Sequence, residues 1–78
     1  MTYADNCCTC VETYDGNKHF YVYSGKCAIS GKPVTVKVPG AELFAYRQGA
    51  LIQNAMPSVP AGEREFLMTG ISEESWAV

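Results

Sequence analysis

The chain has little charge, and no excess of one sign that would draw a polyanion. Of its 78 residues 18% are charged, with six basic side chains against eight acidic ones and a formal net charge of −2. A general nucleic-acid binder carries a basic patch or stripe, so the balance argues against that class. Long apolar runs are also missing. None exceeds four residues, far short of the roughly 18 needed for a membrane span, so no membrane partner is expected. Residues 1–10, MTYADNCCTC, lack the basic start and apolar stretch of a secretory signal, which points to the cytoplasm. No glycine-rich stretch leads into a lysine and a helix, so phosphate-loop chemistry is excluded. Histidine occurs once, as His19. A dyad of His19 with Cys10 or Cys27 would lack both an oxyanion loop and a third orienting group, and no enzyme is expected.

What the chain does have is a 47% hydrophobic composition and four cysteines, at positions 7, 8, 10 and 27. A domain this small buries only about 60 to 65% of the surface its unfolded chain exposes, so a metal or disulfide staple is the first thing to look for. In a reducing cytoplasm the thiols stay free, buried or metal-bound. One zinc set is available, Cys7, Cys10, His19 and Cys27, because three cysteines and a histidine form an accepted tetrahedral donor set. Otherwise no cofactor is expected. Cys7-Cys8-Thr9-Cys10 does not follow a strand and open a helix, as a thioredoxin-like redox motif would.

The two halves differ in charge and pattern. Residues 1–38 carry Lys18, Lys26, Lys32 and Lys37 against Asp5, Glu12 and Asp15, a net +1, while 39–78 carry Arg47 and Arg64 against Glu42, Glu63, Glu65, Glu73 and Glu74, a net −3. The first half predicts strands. Residues 11–14 and 19–23 are rich in β-branched and aromatic side chains around the turn signal Asp15-Gly16-Asn17. A short strand over 26–29 follows, and then Val34-Thr35-Val36-Lys37-Val38, whose alternation marks a half-buried strand. The second half predicts a helix over 41–56, with Phe44, Leu51, Ile52 and Ala55 on one face and a weak point at Gly49. Pro57 stops it. A second helix runs over 61–69, with Gly70 as its C-cap. Strands followed by helices give an α+β domain, a three- to four-stranded antiparallel meander followed by two short helices, spanning 11–78 behind a flexible segment 1–10. Phe20, Val22, Ile29, Val34, Val36, Val38, Phe44, Leu51, Ile52, Phe66, Leu67, Ile71 and Trp76 are the expected core.

That assignment leaves Tyr21 and Tyr23 on the exposed face of their strand. Beside Lys18, Lys26 and Lys32 they could stack nucleic-acid bases, a single-strand or nucleotide-binding alternative. Tyrosine is equally at home in protein interfaces. With Tyr46, Arg47 and Arg64 the two tyrosines form the candidate partner-binding set, the arginines being the only cations of an acidic half.

Cys27-Ala28-Ile29-Ser30-Gly31-Lys32 has the outline of a zinc knuckle, C-x-x-C-G-K, with serine at the second thiolate position. Ser72-Glu73-Glu74-Ser75 repeats the two-residue spacing. Either this is a degenerate metal hairpin in which packing stands for the metal, or Ser30-Gly31 is a plain turn and Ser72 a helix cap. Cys27 to Val38, Leu43-Phe44 with Tyr46 and Gly49, Ile52-Gln53 with Ala55 and Pro57, Glu63-Arg64-Glu65-Phe66-Leu67, Thr69-Gly70-Ile71 and Trp76 together resemble short uncharacterised proteins of bacteriophages and related mobile elements. The resemblance covers about two thirds of the chain. It implies a zinc-ribbon-derived fold whose cysteine pairs have become C-x-x-S and S-x-x-S, and a phage setting in the host cytoplasm. It carries no activity. The function expected is therefore non-enzymatic: binding a host or viral protein, for instance to block antiviral defence. A small structural zinc protein is a further alternative. A homodimer is also expected, because self-association enlarges the buried surface of so small a domain.

Overall fold

The computed structural model describes residues 1–73. Helix α1 (Thr2–Cys7) leads into a meander of β1 (Thr9–Asp15), β2 (Lys18–Lys26) and β3 (Pro33–Pro39), followed by α2 (Gly40–Arg47), α3 (Ile52–Ala55) and α4 (Ala61–Thr69). The sheet is three-stranded and antiparallel, in the order β1-β2-β3. This is the expected α+β domain. The Gly16-Asn17 turn closes the first hairpin by setting Asp15 opposite Lys18. No helix among the described residues is long and apolar enough to cross a membrane.

Register decides which face is buried. Val36 lies opposite Tyr23 and Val38 opposite Tyr21, and because directly opposed residues point to one side, the tyrosines share the buried face of β3. Val36 and Val38 are fully buried and Tyr23 is only 2% exposed. The expected assignment of β2 is thus inverted: Phe20 and Val22 point to the other face, opposite Pro39 and Lys37. Phe20-Tyr21-Val22-Tyr23 is apolar on both sides, so period 2 alone could not choose; the valines of β3 choose. Lys37 Nζ lies 4.2 Å from the Phe20 ring centroid, a cation–π cover over the half-buried aromatic.

Three further expectations change. No separate strand spans 26–29. Strand β2 runs through Ser24 and Gly25 to Lys26, and residues 27–32 form a tight loop closed by Cys27 N–H to Lys32 O at 2.9 Å and Gly31 N–H to Cys27 O at 2.9 Å. Ile29, expected in the core, stands exposed on that loop. The helix over 41–56 breaks in two. Gly49 takes φ +107°, a left-handed conformation that ends α2. The pattern of Phe44, Leu51, Ile52 and Ala55 therefore never forms one face: of the four only Ala55 is buried, and Leu43, Met56 and Val59 fill the core beside it. Residues 1–10 are not set apart from the domain: Met1 and Ala4 are buried in its core, and Tyr3 meets Phe66 edge-on at 5.5 Å. Phe66, Leu67, Val36 and Val38 are core residues as expected, while Val34 and Ile52 pack at its margin. Trp76 lies outside the described residues.

Helix α4 ends as its sequence requires. Gly70, at φ +81°, donates its N–H to Phe66 O at 2.8 Å, and a Cβ there would lie 2.4 Å from the Tyr3 ring. Only glycine satisfies both the left-handed cap and the approach of the ring.

Candidate functional site

Two polar clusters stand out, and helix α1 touches both, through Tyr3 at the first and Asp5 at the second. The first is the loop after β2. Cys27, 2% exposed, receives hydrogen bonds at Sγ from the hydroxyls and backbone N–H groups of Ser30 and Ser72, with the Ser72 N–H at 3.4 Å. Those donors, Ser30's hydroxyl above all, lower the thiol pKa to about 5 against the opposing effect of burial. Ala28 N–H bonds Gly70 O at 2.7 Å and Tyr3 Oη donates to Lys26 O at 2.7 Å, so α4 and α1 clamp the loop. Three of the four positions paired by spacing thus meet at one sulfur; Ser75 lies outside the described residues. One thiol and two serines do not make a zinc donor set, which needs thiolates, imidazoles or carboxylates.

The Cys7, Cys10, His19 and Cys27 set is not brought together. Among the described residues no three of His, Cys, Asp and Glu are placed to hold a metal ion. His19 is engaged elsewhere: its Nε2 is 2.8 Å from Glu12 Oε2, its ring stacks on Tyr14 at 4.9 Å and meets Tyr21 edge-on at 4.7 Å. Cys10 lines a cleft and Cys7 is exposed.

The second cluster is that cleft. The buried face of β1 and β2 and one side of α2 enclose about 400 Å³ between Cys10, His19, Tyr21, Tyr23, Leu43, Phe44 and Arg47. Tyr21 donates to Glu12 Oε2 at 3.3 Å. Arg47 Nη2 lies 3.5 Å from Tyr23 Oη and 3.3 Å from Asp5 Oδ1. Burial raises the Tyr23 phenol while Arg47 pulls it the other way. Beyond Arg47 a second hollow of about 600 Å³ opens, floored by Tyr46, Leu51, Ile52 and Met68. Arg47 is therefore a ridge between two hollows, and the apolar side chains beside it, Phe44 at 65% and Leu51 at 63% exposure, point to solvent.

The structure thus unites four of the five expected partner-binding residues around one ridge: Tyr21 and Tyr23 in the first hollow, Tyr46 in the second, and Arg47 in both. Tyr46 Oη is also a structural anchor, accepting from the Met1 ammonium at 2.9 Å and donating to Met68 Sδ at 3.7 Å. Arg64 stands apart. Its Nη1 donates to Gln53 O at 3.2 Å and Met56 O at 3.4 Å, so it clamps α3 to α4. Sequence reasoning missed Phe44 and Leu51 as surface residues because it placed them on a helix face that Gly49 interrupts. The residues grouped for base stacking part company: Tyr23 is buried, and Lys18 and Lys26 lie on the Phe20 face, opposite that of Tyr21 and Tyr23. Comparison with protein-family models, curated proteins and solved structures gives no match.

Proposed function

We propose that the chain is a non-enzymatic protein-binding module that docks a host or viral protein on the ridge formed by Phe44, Arg47 and Leu51. The observation that carries this reading is the pair of solvent-facing apolar side chains on either side of an arginine that lines both hollows. Interface hot spots are built from aromatic and arginine anchors, here backed by tyrosines already fixed by hydrogen bonds. An apolar side chain of the partner enters each hollow, and a carboxylate between them competes with Asp5 for Arg47. The resemblance to phage proteins supports a host-cytoplasm setting in which such binding blocks a host process such as antiviral defence. It also supports a degenerate zinc knuckle at Cys27, Ser30 and Ser72, where hydrogen bonds and packing take the place of the metal.

The test is comparative capture from host lysate with the unmodified chain and Phe44→Asp, followed by calorimetry with the purified partner. Phe44→Asp is expected to weaken binding by at least about tenfold, the loss typical of a hot-spot residue. A partner bound equally by both chains would overturn the assignment of the ridge.

A further inference from the structure

The two edges of the sheet are unlike. β3 begins and ends in proline, Pro33 and Pro39, and carries Lys37, the devices by which edge strands avoid pairing. β1, TCVETYD, has neither proline nor lysine, and its backbone has no second strand beside it among the described residues. Its outward groups follow from the hairpin. In a two-residue turn the closing pair, Asp15 and Lys18, exchanges both hydrogen bonds, and such pairs alternate along the ladder. The backbones of Thr9, Val11, Thr13 and Asp15 are thus spent on β2. Those of Cys10, Glu12 and Tyr14 point outward. Val11 is 61% exposed on the uncovered face, with Val22 beside it as its cross-strand neighbour.

We propose that β1 pairs antiparallel with β1 of a second copy, in the register that sets Val11 opposite Val11 about a two-fold axis. The choice of register comes from charge and apolar pairing. The fully overlapping register would place Glu12 opposite Glu12, and like charges directly opposite are destabilising. A shift toward the turn sets Asp15 opposite Val11. The register centred on Val11 instead puts Cys10 opposite Glu12 in two hydrogen-bonded pairs, and it runs Val22, Val11, Val11 and Val22 as one apolar row across the open face. A strand edge that is self-complementary in this way fits its own copy. Two three-stranded sheets become one of six. Because the axis is perpendicular to the sheet, the two Arg47 ridges lie on the same side, which would give a bivalent surface. The pairing stands independently of the ridge's role, since Phe44→Asp leaves β1 untouched.

Sedimentation velocity over a concentration series tests it with the chain alone. The mass is expected to rise from one copy to two, with a weak dissociation constant suited to so small an interface. Glu12→Pro removes one outward N–H group per copy together with the carboxylate that meets His19 and Tyr21, and is expected to raise that constant by about tenfold or more, whereas Glu12→Gln, which also gives up the carboxylate's charge but keeps the backbone donor, changes it little. Val11→Lys weakens association as strongly without touching the backbone. In a chain with Cys7, Cys8 and Cys10 changed to serine, Val11→Cys is expected to form an intermolecular disulfide far faster than Thr13→Cys, because the non-hydrogen-bonded pair on the axis brings the two Cα atoms to about 4.5 Å. A monomer at all concentrations, faster cross-linking at Thr13, or a Glu12→Pro chain that dimerises like the parent would overturn the proposal.

Discussion

The Cys27 corner and the Arg47 ridge are both polar clusters raised on the same face of one sheet, yet they are finished differently. At Cys27 the hydrogen bonds converge on a buried thiol. Ser30, Ser72, Tyr3 and Gly70 close the loop onto α1 and α4, and the thiol is buried. At Arg47 the hydrogen bonds to Tyr23 and Asp5 hold a side chain that stays half exposed, and the neighbouring apolar groups face solvent. A polar group that packing has covered serves stability. One that is held rigid beside uncovered apolar surface is equipped for contact with another molecule. The two corners should therefore respond in opposite ways to the same substitution.

The sharpest contrast uses one residue type in both places. Phe66, fully buried against Tyr3, should cost about 3–5 kcal/mol when changed to alanine, much of the stability a domain of this size has. Urea unfolding followed by circular dichroism reads it. Phe44→Ala, at a solvent-facing position, should stay within about 0.5 kcal/mol of the parent while losing partner binding. Equal losses of stability would erase the distinction between the corners.

Glycines give the next contrast. Gly70→Ala meets both a left-handed φ and the Tyr3 ring, so it should cost about 1–3 kcal/mol or more. Gly49→Ala shares the left-handed backbone but has nothing within 4 Å of the new Cβ, and should cost about 1 kcal/mol. If the two losses are equal, the Tyr3 contact is not tight.

The same features explain what could be read from the residues alone. The strand valines, the Asp15-Gly16-Asn17 turn, the 61–69 helix and the Gly70 cap each rest on local chemistry, and all four are in place. The Cys27–Ser30 turn was legible because it is local, whereas the repeated spacing at Ser72 left two readings open, and its approach to Cys27 joins positions 45 residues apart. What escaped were choices made across the chain. Which side of Phe20-Tyr21-Val22-Tyr23 turns inward depends on its register with β3, and the burial of Met1 and Ala4 depends on α4. The ridge was legible as residue types, tyrosines and Arg47. Its apolar half was hidden by an unbroken helix that Gly49 does not permit.

Protonation separates the corners further. The folded pKa of Cys27, about 5, lies below the 9.0 of a free thiol, so between these values the folded state binds fewer protons than the unfolded one. Its hydrogen bonds then contribute stability that is complete above pH 9, declines as pH falls toward 5, and is gone below that. Thiolate absorbance near 240 nm, followed between pH 4 and 10 (roughly the span of both values), should show one cysteine titrating early. Ser72→Ala and Ser30→Ala should each raise that midpoint and flatten the rise of stability with pH. An unchanged midpoint in both would mean that the serines do not stabilise the thiolate.

The smallest effect on stability, and the finest test of the comparison, comes from the two arginines. Arg64 donates to two backbone carbonyls at the α3–α4 junction, acceptors that alanine would leave without that donor, so Arg64→Ala should cost about 1 kcal/mol and leave partner affinity unchanged. Arg47→Ala removes an exposed ion pair with Asp5 and a long 3.5 Å contact to Tyr23, worth about 0.5 kcal/mol or less, because water screens the charges. Its loss in partner binding should nonetheless be the larger, since Arg47 borders both hollows. Arg47→Lys keeps the charge but loses the planar guanidinium, whose Nη2 meets both Tyr23 and Asp5, and should recover only part of the affinity. If Arg64→Ala weakens binding while Arg47→Ala does not, the contact surface lies at the α3–α4 junction, and the ridge is a stabilising feature like the Cys27 corner.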